Sequence, residues 1–144
     1  MILYLDTSAL VKLYVRERGS ARLRGLIGKA QALATSVVAY AEARAAFARL
    51  RRSGLSRAAM HQRRLQQLDQ DWDAWMRVEL APDVVRSAGD LADTYALRGF
   101  DAIHLASALW LKARTAEAVD FAAWDLRLGT AASKAGFQVF PRLR

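Results

Sequence analysis

The stretch MILYLDTSAL, residues 1–10, decides the fold. Four apolar residues at positions 2–5 run directly into Asp6, and two hydroxyl residues and a second apolar stretch follow. So short and so apolar a run is typical of a strand buried in a parallel sheet. A carboxylate at the end of such a strand is costly unless positive charge meets it. The stretch therefore predicts a buried strand that ends at an acid, and the rest of the sequence has to indicate what meets that charge.

Strands and helices alternate along the rest of the chain. The pattern predicts further strands over 32–35, 76–80, 118–122 and 137–140. The spacing of apolar residues predicts helices over about 7–15, 20–29, 36–52, 56–71, 82–97, 101–113 and 126–135. Thr7 or Ser8, Ser20, Ser36 and Ser56 are the candidate helix caps, and Gly99 is interpreted as a break. We therefore expect an α/β fold of one domain, residues 1–144, with a small parallel sheet flanked by helices on both faces.

The composition excludes several classes of protein. The chain has 144 residues, is 53% hydrophobic and has no cysteine, which excludes disulfides and thiolate metal sites. No apolar run is long enough for a membrane span, and residues 1–20 do not have the pattern of a signal peptide. A cytoplasmic location without membrane association is the resulting expectation.

Positive charge is concentrated in the first half of the chain. The net charge is +8, and seven arginines but no acid lie between positions 43 and 68. Such a stripe attracts nucleic acid or an acidic protein, although a solvated helix face explains it equally well. The candidate contacts for RNA or a partner are Lys12, Arg16, Arg44, Arg49, Arg51 and Arg52.

Four carboxylates occupy positions from which they could converge. Asp6 ends the first strand, Asp101 opens the apolar helix and Asp125 follows the strand near 118–122. Ligands of open parallel sheets bind beyond the carboxyl ends of the strands. Glu42 lies on the inner side of the long helix. Converging acids repel one another unless a hard divalent cation such as Mg²⁺ neutralises them.

Each acid also has a structural interpretation. Asp6 and Asp125 could be helix caps, and Asp101 could be an acid stabilised by the helix dipole. Glu42 could pair with Arg44 or Arg22, and Asp120 competes with Asp125 as the fourth acid.

The remaining polar and aromatic candidates are interpreted structurally. A packed or hydrogen-bonded role is more plausible for His104 than that of a base, and His61 is expected in solvent. Thr7 is expected to bond to backbone, and the four tryptophans to lie in the core or an interface.

Four stretches resemble a known family. LDTSALVKLY (5–14), VVAYAEARAAF (37–47), LRGFDAIHLASAL (97–109) and FAAWDLRLGTAASKAGFQVF (121–140) resemble the PIN domain and, more closely, the VapC toxins of bacterial toxin–antitoxin pairs. The resemblance implies an Mg²⁺- or Mn²⁺-dependent endoribonuclease in which metal-activated water hydrolyses the phosphodiester. It also implies an antitoxin partner and a homodimer. The implied catalytic and metal-binding residues are Asp6, Glu42, Asp101 and Asp125, and Ser8 would support the first acid or a metal-bound water.

One position departs from the family pattern. The family often has Thr or Ser two residues before the fourth acid, where this chain has Ala123. The departure leaves open a catalytically weakened PIN-like module that binds RNA or protein. A phosphatase with Asp6 as nucleophile is a second alternative, but such sites usually carry another Asp where this chain has Ser8.

Overall fold

Five strands form one parallel sheet at the centre of the computed structural model, which describes residues 1–143. Their bounds are β1 Ile2–Leu5, β2 Ala32–Ser36, β3 Met76–Val78, β4 Val119–Ala122 and β5 Gln138–Phe140. The order across the sheet is β3-β2-β1-β4-β5, with every neighbouring pair parallel. The chain thus winds outward from β1 in one direction and returns to wind outward from β4 in the other. The ends of β1 and β4 meet at this reversal, which is where open parallel sheets bind ligands.

Seven helices connect the strands of the described part. They are α1 Thr7–Val11, α2 Ser20–Ile27, α3 Val38–Arg52, α4 Ala58–Trp72, α5 Pro82–Tyr95, α6 Gly99–Lys112 and α7 Leu126–Lys134. None of the helices within residues 1–143 has both the length and the apolar character of a transmembrane span.

Two hydrophobic cores cover the two faces of the sheet, because side chains alternate along each strand. Ile2 and Tyr4 of β1 pack with α5, α6 and α7, whereas Leu3 and Leu5 pack with α1 to α4. The parallel α/β sheet with helices on both faces is therefore confirmed. The four tryptophans pack against these cores, also as expected.

Asp6, and neither Thr7 nor Ser8, caps α1. Its extended backbone precedes the helix, and its Oδ1 accepts a 2.8 Å hydrogen bond from the Ala9 N–H. The helix ends at Val11 rather than near position 15. A single carboxylate thus ends β1 and begins α1.

None of the three predicted serine caps occupies the capping position. Gly19, Val37 and Arg57 precede α2, α3 and α4, and none of the three makes a side-chain cap. The serines are buried. The Ser36 hydroxyl still accepts a 3.3 Å hydrogen bond from the Val38 N–H at the start of α3, whereas the hydroxyls of Ser20 and Ser56 bond elsewhere. Ser56, for example, accepts a 3.0 Å hydrogen bond from the buried guanidinium of Arg64.

Gly99 is not the residue that breaks the helix before it: α5 already ends at Tyr95, before the left-handed Ala96, and Gly99 begins α6. Arg98 has extended backbone and precedes the helix, so Asp101 lies at its third position. An acid in the first turn is stabilised by the positive end of the helix dipole. The earlier start therefore holds the Asp101 carboxylate at the end of the helix, near the carboxyl edge of the sheet.

Candidate active site

Asp6 is the most buried acid of the site. Its residue is 3% exposed, and burial raises the pKa of its carboxyl group to about 6. The Ser8 hydroxyl lies 2.7 and 2.8 Å from its two oxygens and donates to the carboxylate. No cationic side chain of residues 1–143 forms an ion pair with Asp6. Asp6 is thus oriented by hydrogen bonds while its charge is left without a cation.

Ser8 also joins Asp6 to the loop after β4. Its Oγ accepts a 2.9 Å hydrogen bond from the backbone N–H of Trp124, 116 positions away. This contact bears on the Ala123 departure, because the methyl side chain of Ala123 can donate no hydrogen bond to an acid. The loop that carries Asp125 is instead tied to Asp6 through Ser8.

Asp101 and Asp125 lie on either side of the Arg98 guanidinium. Arg98 Nε is 3.5 Å from Asp101 Oδ2, and Arg98 Nη2 is 3.7 Å from Asp125 Oδ2. Burial raises the pKa of Asp101, and repulsion from Asp125 raises it further. Asp125 caps α7 through Oδ1, which accepts from the Leu128 N–H at 2.8 Å, and its other oxygen, Oδ2, faces Arg98. The capping role that the sequence offered for Asp125 is therefore confirmed, and it leaves one carboxylate oxygen uninvolved in the cap.

Glu42 is held from two sides. Its Oε1 accepts hydrogen bonds from the Thr7 hydroxyl at 2.6 Å and from His104 Nε2 at 2.9 Å. Burial acts to raise its pKa, but these hydrogen bonds outweigh it and the pKa is lowered. The alternative of an arginine partner for Glu42 does not hold in the described chain, since Arg44 donates to the Tyr40 hydroxyl at 2.8 Å and Arg22 forms no ion pair. The expected backbone partner of Thr7 is also wrong, because its hydroxyl reaches a carboxylate.

The hydrogen-bond partners fix where His104 carries its proton. The ring is 2% exposed, and Nδ1 lies 2.9 Å from the hydroxyl of buried Tyr4. An ionised Glu42 has no proton to donate, so Nε2 must carry the hydrogen that lies between them. In the neutral ring, Nδ1 then accepts from Tyr4. His104 is thus a buried positioning group, as the sequence predicted, and its partner is a site carboxylate.

The four predicted acids converge at the carboxyl edge of the sheet. A cleft of about 600 Å³ is lined by Glu42, Arg98 and Asp101, and an adjoining depression of about 450 Å³ by Arg98, Asp101 and Asp125. Asp6 lies close enough to Asp101 for that charge to add to the rise in its pKa. Within residues 1–143, however, no three His, Asp or Glu side chains are already spaced to hold a metal ion. The acids are near one another, with Arg98 and His104 pairing with three of them.

Asp120 does not join the acids. It lies within β4, beside a depression lined by Leu26 and Gln138 on the flank of the sheet. As the second residue of β4 it lies on one face of the sheet, whereas Asp125 follows the end of the strand. Asp125 is the fourth acid of the cluster.

The predicted basic residues separate into different regions. Lys12 is buried and pairs with Glu17 at 2.9 Å, and Arg16 is exposed nearby. Arg49, Arg51 and Arg52 occupy the last turn of α3, about 10–15 Å along the axis from Glu42 at 1.5 Å per residue. The arginines of the stripe differ in exposure, because Arg64 is buried, with 9% of its surface exposed.

His61 was expected in solvent. Its Nδ1 is instead buried and has no hydrogen-bond partner in the described chain.

Two site residues were missed by the sequence reasoning, Arg98 and Thr7. Arg98 is three positions before Asp101, a spacing at which helical side chains meet, so its role had a readable signal. The role of Thr7 had no signal in the sequence, because its partner Glu42 is 35 positions away.

Together, the sheet reversal and its acids define a parallel α/β protein with a carboxylate site at the switch point. The PIN domain family matches residues 3–122 of this chain. The chain is also 40% identical to proteins named Ribonuclease VapC45 and Ribonuclease VapC49 from two strains of Mycobacterium tuberculosis, over 97% of its length and 95% of theirs. The chain belongs to the PIN domain family.

Solved structures agree with this fold. FitAcB from Neisseria gonorrhoeae superposes with a TM-score of 0.67 at 18% identity, covering 97% of this chain and 96% of that one. VapBC2 from Rickettsia felis, solved with a DNA fragment from its promoter, gives 0.66 at 12% identity, covering 96% and 97%. At such identities the likeness is one of fold.

Proposed function

We propose that this chain is an endoribonuclease of the VapC type and the toxin of a toxin–antitoxin pair, with residues 1–144 forming one PIN domain. The observation that carries the proposal is the convergence of four carboxylates at the switch point of the sheet. Identity of 40% to two proteins named ribonucleases supports RNA as the substrate. The reaction is phosphodiester hydrolysis, in which a water oxygen bonds to phosphorus and loses a proton, while the bond from phosphorus to the leaving oxygen breaks and that oxygen takes up a proton.

The donor set fits Mg²⁺ or Mn²⁺. Every candidate ligand is a carboxylate oxygen, which is the ligand type of hard divalent cations. Burial raises the pKa of both Asp6 and Asp101, and repulsion from neighbouring acids adds to each rise, a cost of ionisation that a bound cation would offset. Asp6, Glu42, Asp101 and Asp125 would hold the ion. When bound, such an ion acidifies water and stabilises charge on the phosphate oxygens.

The neighbouring residues orient these ligands. Ser8 fixes both oxygens of Asp6, and Thr7 with His104 fixes Oε1 of Glu42. Such partners govern the affinity of a metal site because they set the direction of each ligand. Arg98 lies where a phosphate would approach Asp101 and Asp125, and an exposed guanidinium there can bind phosphate oxygens.

Ser8 argues against the phosphatase alternative. The position two residues after the strand-ending acid carries a hydroxyl that donates to that acid, rather than a second carboxyl group that could protonate a leaving group. A covalent intermediate on Asp6 would also need a carboxylate free to attack, whereas Oδ1 caps α1.

The proposed protein partners are inferred from solved structures of similar fold. Solved relatives of this fold include a toxin–antitoxin complex from Klebsiella pneumoniae and VapBC2 from Rickettsia felis. By analogy, a cognate antitoxin would bind this chain, and two copies would form a homodimer. RNA as substrate places the protein in the cytoplasm.

The proposal is tested by cleavage of structured RNA with purified protein. We expect cleavage in Mg²⁺ or Mn²⁺, none in EDTA, and a loss of at least 100-fold in Asp6→Asn and Asp101→Asn. Asp120→Asn is the matched control, since it removes the same charge outside the cluster. Full activity in Asp6→Asn would contradict the assignment of Asp6 to the active site. Wild-type protein that binds RNA but neither binds Mn²⁺ in calorimetry nor cleaves would instead identify a weakened binding module, the alternative that Ala123 raises.

A further inference from the structure

A basic groove is lined by Trp124, the residue that directly precedes Asp125. Its volume is about 520 Å³, and its lining includes Lys12, Arg18, Gly19, Arg22, Trp124 and Arg142. We call this surface the Trp124 groove. It is built from segments far apart in sequence, so the stripe of arginines between positions 43 and 68 gave no indication of it.

The groove carries uncompensated positive charge. Lys12 pairs with Glu17 at 2.9 Å, but no ion pair in residues 1–143 engages Arg18, Arg22 or Arg142. All three arginines are exposed. Three guanidiniums around one depression attract a polyanion and match the geometry of phosphate oxygens.

Trp124 is a fixed wall of this groove. The Lys12 ammonium lies 5.0 Å from its ring centroid, and Phe140 meets it edge to face at 5.6 Å. Gly19 lies against the indole so closely that a Cβ there would be 2.6 Å from Nε1. The tryptophan is thus held from several sides, so this wall of the groove has a fixed position.

The groove is connected to the acids through Trp124. Trp124 and Asp125 are consecutive, and the Trp124 N–H donates to Ser8, which donates to Asp6. The residue that forms a wall of the groove is therefore tied by one hydroxyl to the most buried acid. An RNA strand repelled by the carboxylates gains most by leaving the cleft along this surface.

From these observations we infer that the Trp124 groove binds the sugar–phosphate backbone of the RNA strand next to the cleaved bond. The inference rests on the proposed ribonuclease function and adds the position of the RNA strand on the protein surface. Arg49 and Arg52 are weaker candidates, because they end α3, where cations stabilise the negative end of the helix dipole. An acidic segment of a protein partner is the competing occupant, and the test below distinguishes it.

The test compares two triple variants that lose the same charge. One is Arg18→Gln, Arg22→Gln and Arg142→Gln in the groove. The matched control is Arg49→Gln, Arg52→Gln and Arg63→Gln, also exposed and outside the ion pairs of the described chain. Binding of a fluorescein-labelled 12-nucleotide oligouridylate is measured by anisotropy in EDTA across a range of KCl concentrations. Equal melting temperatures establish that both variants fold.

We expect the groove variant to bind at least tenfold more weakly at 0.1 M KCl. Its slope of log affinity against log salt should fall by about two, at about 0.7 for each single-strand phosphate that the variant no longer binds. The control should retain most of the wild-type slope. Wild-type affinity in the groove variant, or an equal loss in the control, would overturn the inference.

Two further measurements separate the possible failures. If the groove variant loses binding to poly-L-glutamate but keeps the oligouridylate, the surface is a site for acidic protein and the inference is wrong. If wild-type protein cleaves RNA with Mn²⁺ and the groove variant binds and cleaves equally well, only the inference fails. If wild-type protein neither binds nor cleaves RNA, the proposed function fails and the inference fails with it.

Discussion

His104 Nε2 lies 2.9 Å from Oε1 of Glu42, although the two residues are 62 positions apart. The same carboxylate oxygen accepts from Thr7, and Tyr4 holds the far side of the imidazole ring. A buried histidine thus fixes the direction of an acid that itself lies 28% exposed at the cleft. This arrangement makes the position of Glu42 testable without altering its charge.

Thr7→Val should weaken Mn²⁺ binding by roughly tenfold, because it removes one of the two hydrogen bonds that orient Glu42 while keeping the shape of the side chain. Calorimetric titration with Mn²⁺ measures the effect. Thr7→Ser restores the hydroxyl and is the matched control, for which near wild-type affinity is expected. Unchanged affinity in the valine variant would mean that Thr7 does not position a metal ligand.

Asp6→Asn should stabilise the metal-free protein at neutral pH by about 2 kcal/mol, even though it abolishes activity. Asn caps helices as well as Asp does, and the substitution removes a buried negative charge that no cation pairs with. Melting temperatures in EDTA, with Asp120→Asn as the control for loss of one charge, measure the difference. Destabilisation by Asp6→Asn at pH 7 would contradict the account of Asp6.

The pH dependence of that difference has a defined sign. The folded pKa of Asp6 is raised to about 6, so between about pH 4 and 6 the folded state keeps a proton that the unfolded state has lost. The stability contributed by this proton is complete below about pH 4 and is lost as the pH rises through 6. The advantage of Asp6→Asn should therefore be small at pH 4 and reach a plateau near pH 7. A difference independent of pH would assign the effect to something other than Asp6 ionisation.

Gly19→Ala should destabilise the protein by about 1–3 kcal/mol. Gly19 has φ of +95°, and an added Cβ would lie 2.6 Å from Trp124 Nε1. Gly25→Ala is the matched control, since that glycine lies within α2 with nothing near its Cβ direction, and it should stabilise by up to about 1 kcal/mol. Thermal unfolding followed by tryptophan fluorescence measures both variants. Equal effects in the two variants would show that Trp124 does not depend on Gly19.

Arg98→Gln should change the free energy of unfolding by less than about 0.5 kcal/mol, because the Arg98 side chain is 80% exposed and both of its ion pairs are long. It should tighten Mn²⁺ binding by a few-fold, since it removes the cation that already partly neutralises Asp101 and Asp125. Calorimetry and thermal melting measure the two effects. Weaker Mn²⁺ binding in this variant would indicate that Arg98 helps to assemble the site.

The periodicity of the sequence determined most of the fold. Residues 2–5 and other short runs predicted buried strands, because burial on both faces leaves no polar alternation. The strand at 76–80 was predicted instead from its alternation of apolar and polar residues, and its first two residues are exposed. The helix caps were predicted poorly. Ser20 and Ser56 have the right side chain next to a helix, but hydroxyls at positions that become buried bond to partners distant from the cap. Local chemistry cannot indicate those partners.

The acids themselves were readable from the sequence, since Asp6 and Asp125 follow strands and Asp101 lies in the first turn of a helix, positions found near the carboxyl edge of an open parallel sheet. Only the tertiary structure decided what surrounds them. It brings Thr7 and His104 to Glu42, ties Trp124 to Ser8, and gathers Arg18, Arg22 and Arg142 into one groove. The physical reason is the distance along the chain over which each kind of interaction acts. Hydrophobic periodicity and capping act over a few residues, whereas these contacts join segments that are brought together by packing on the two faces of the sheet.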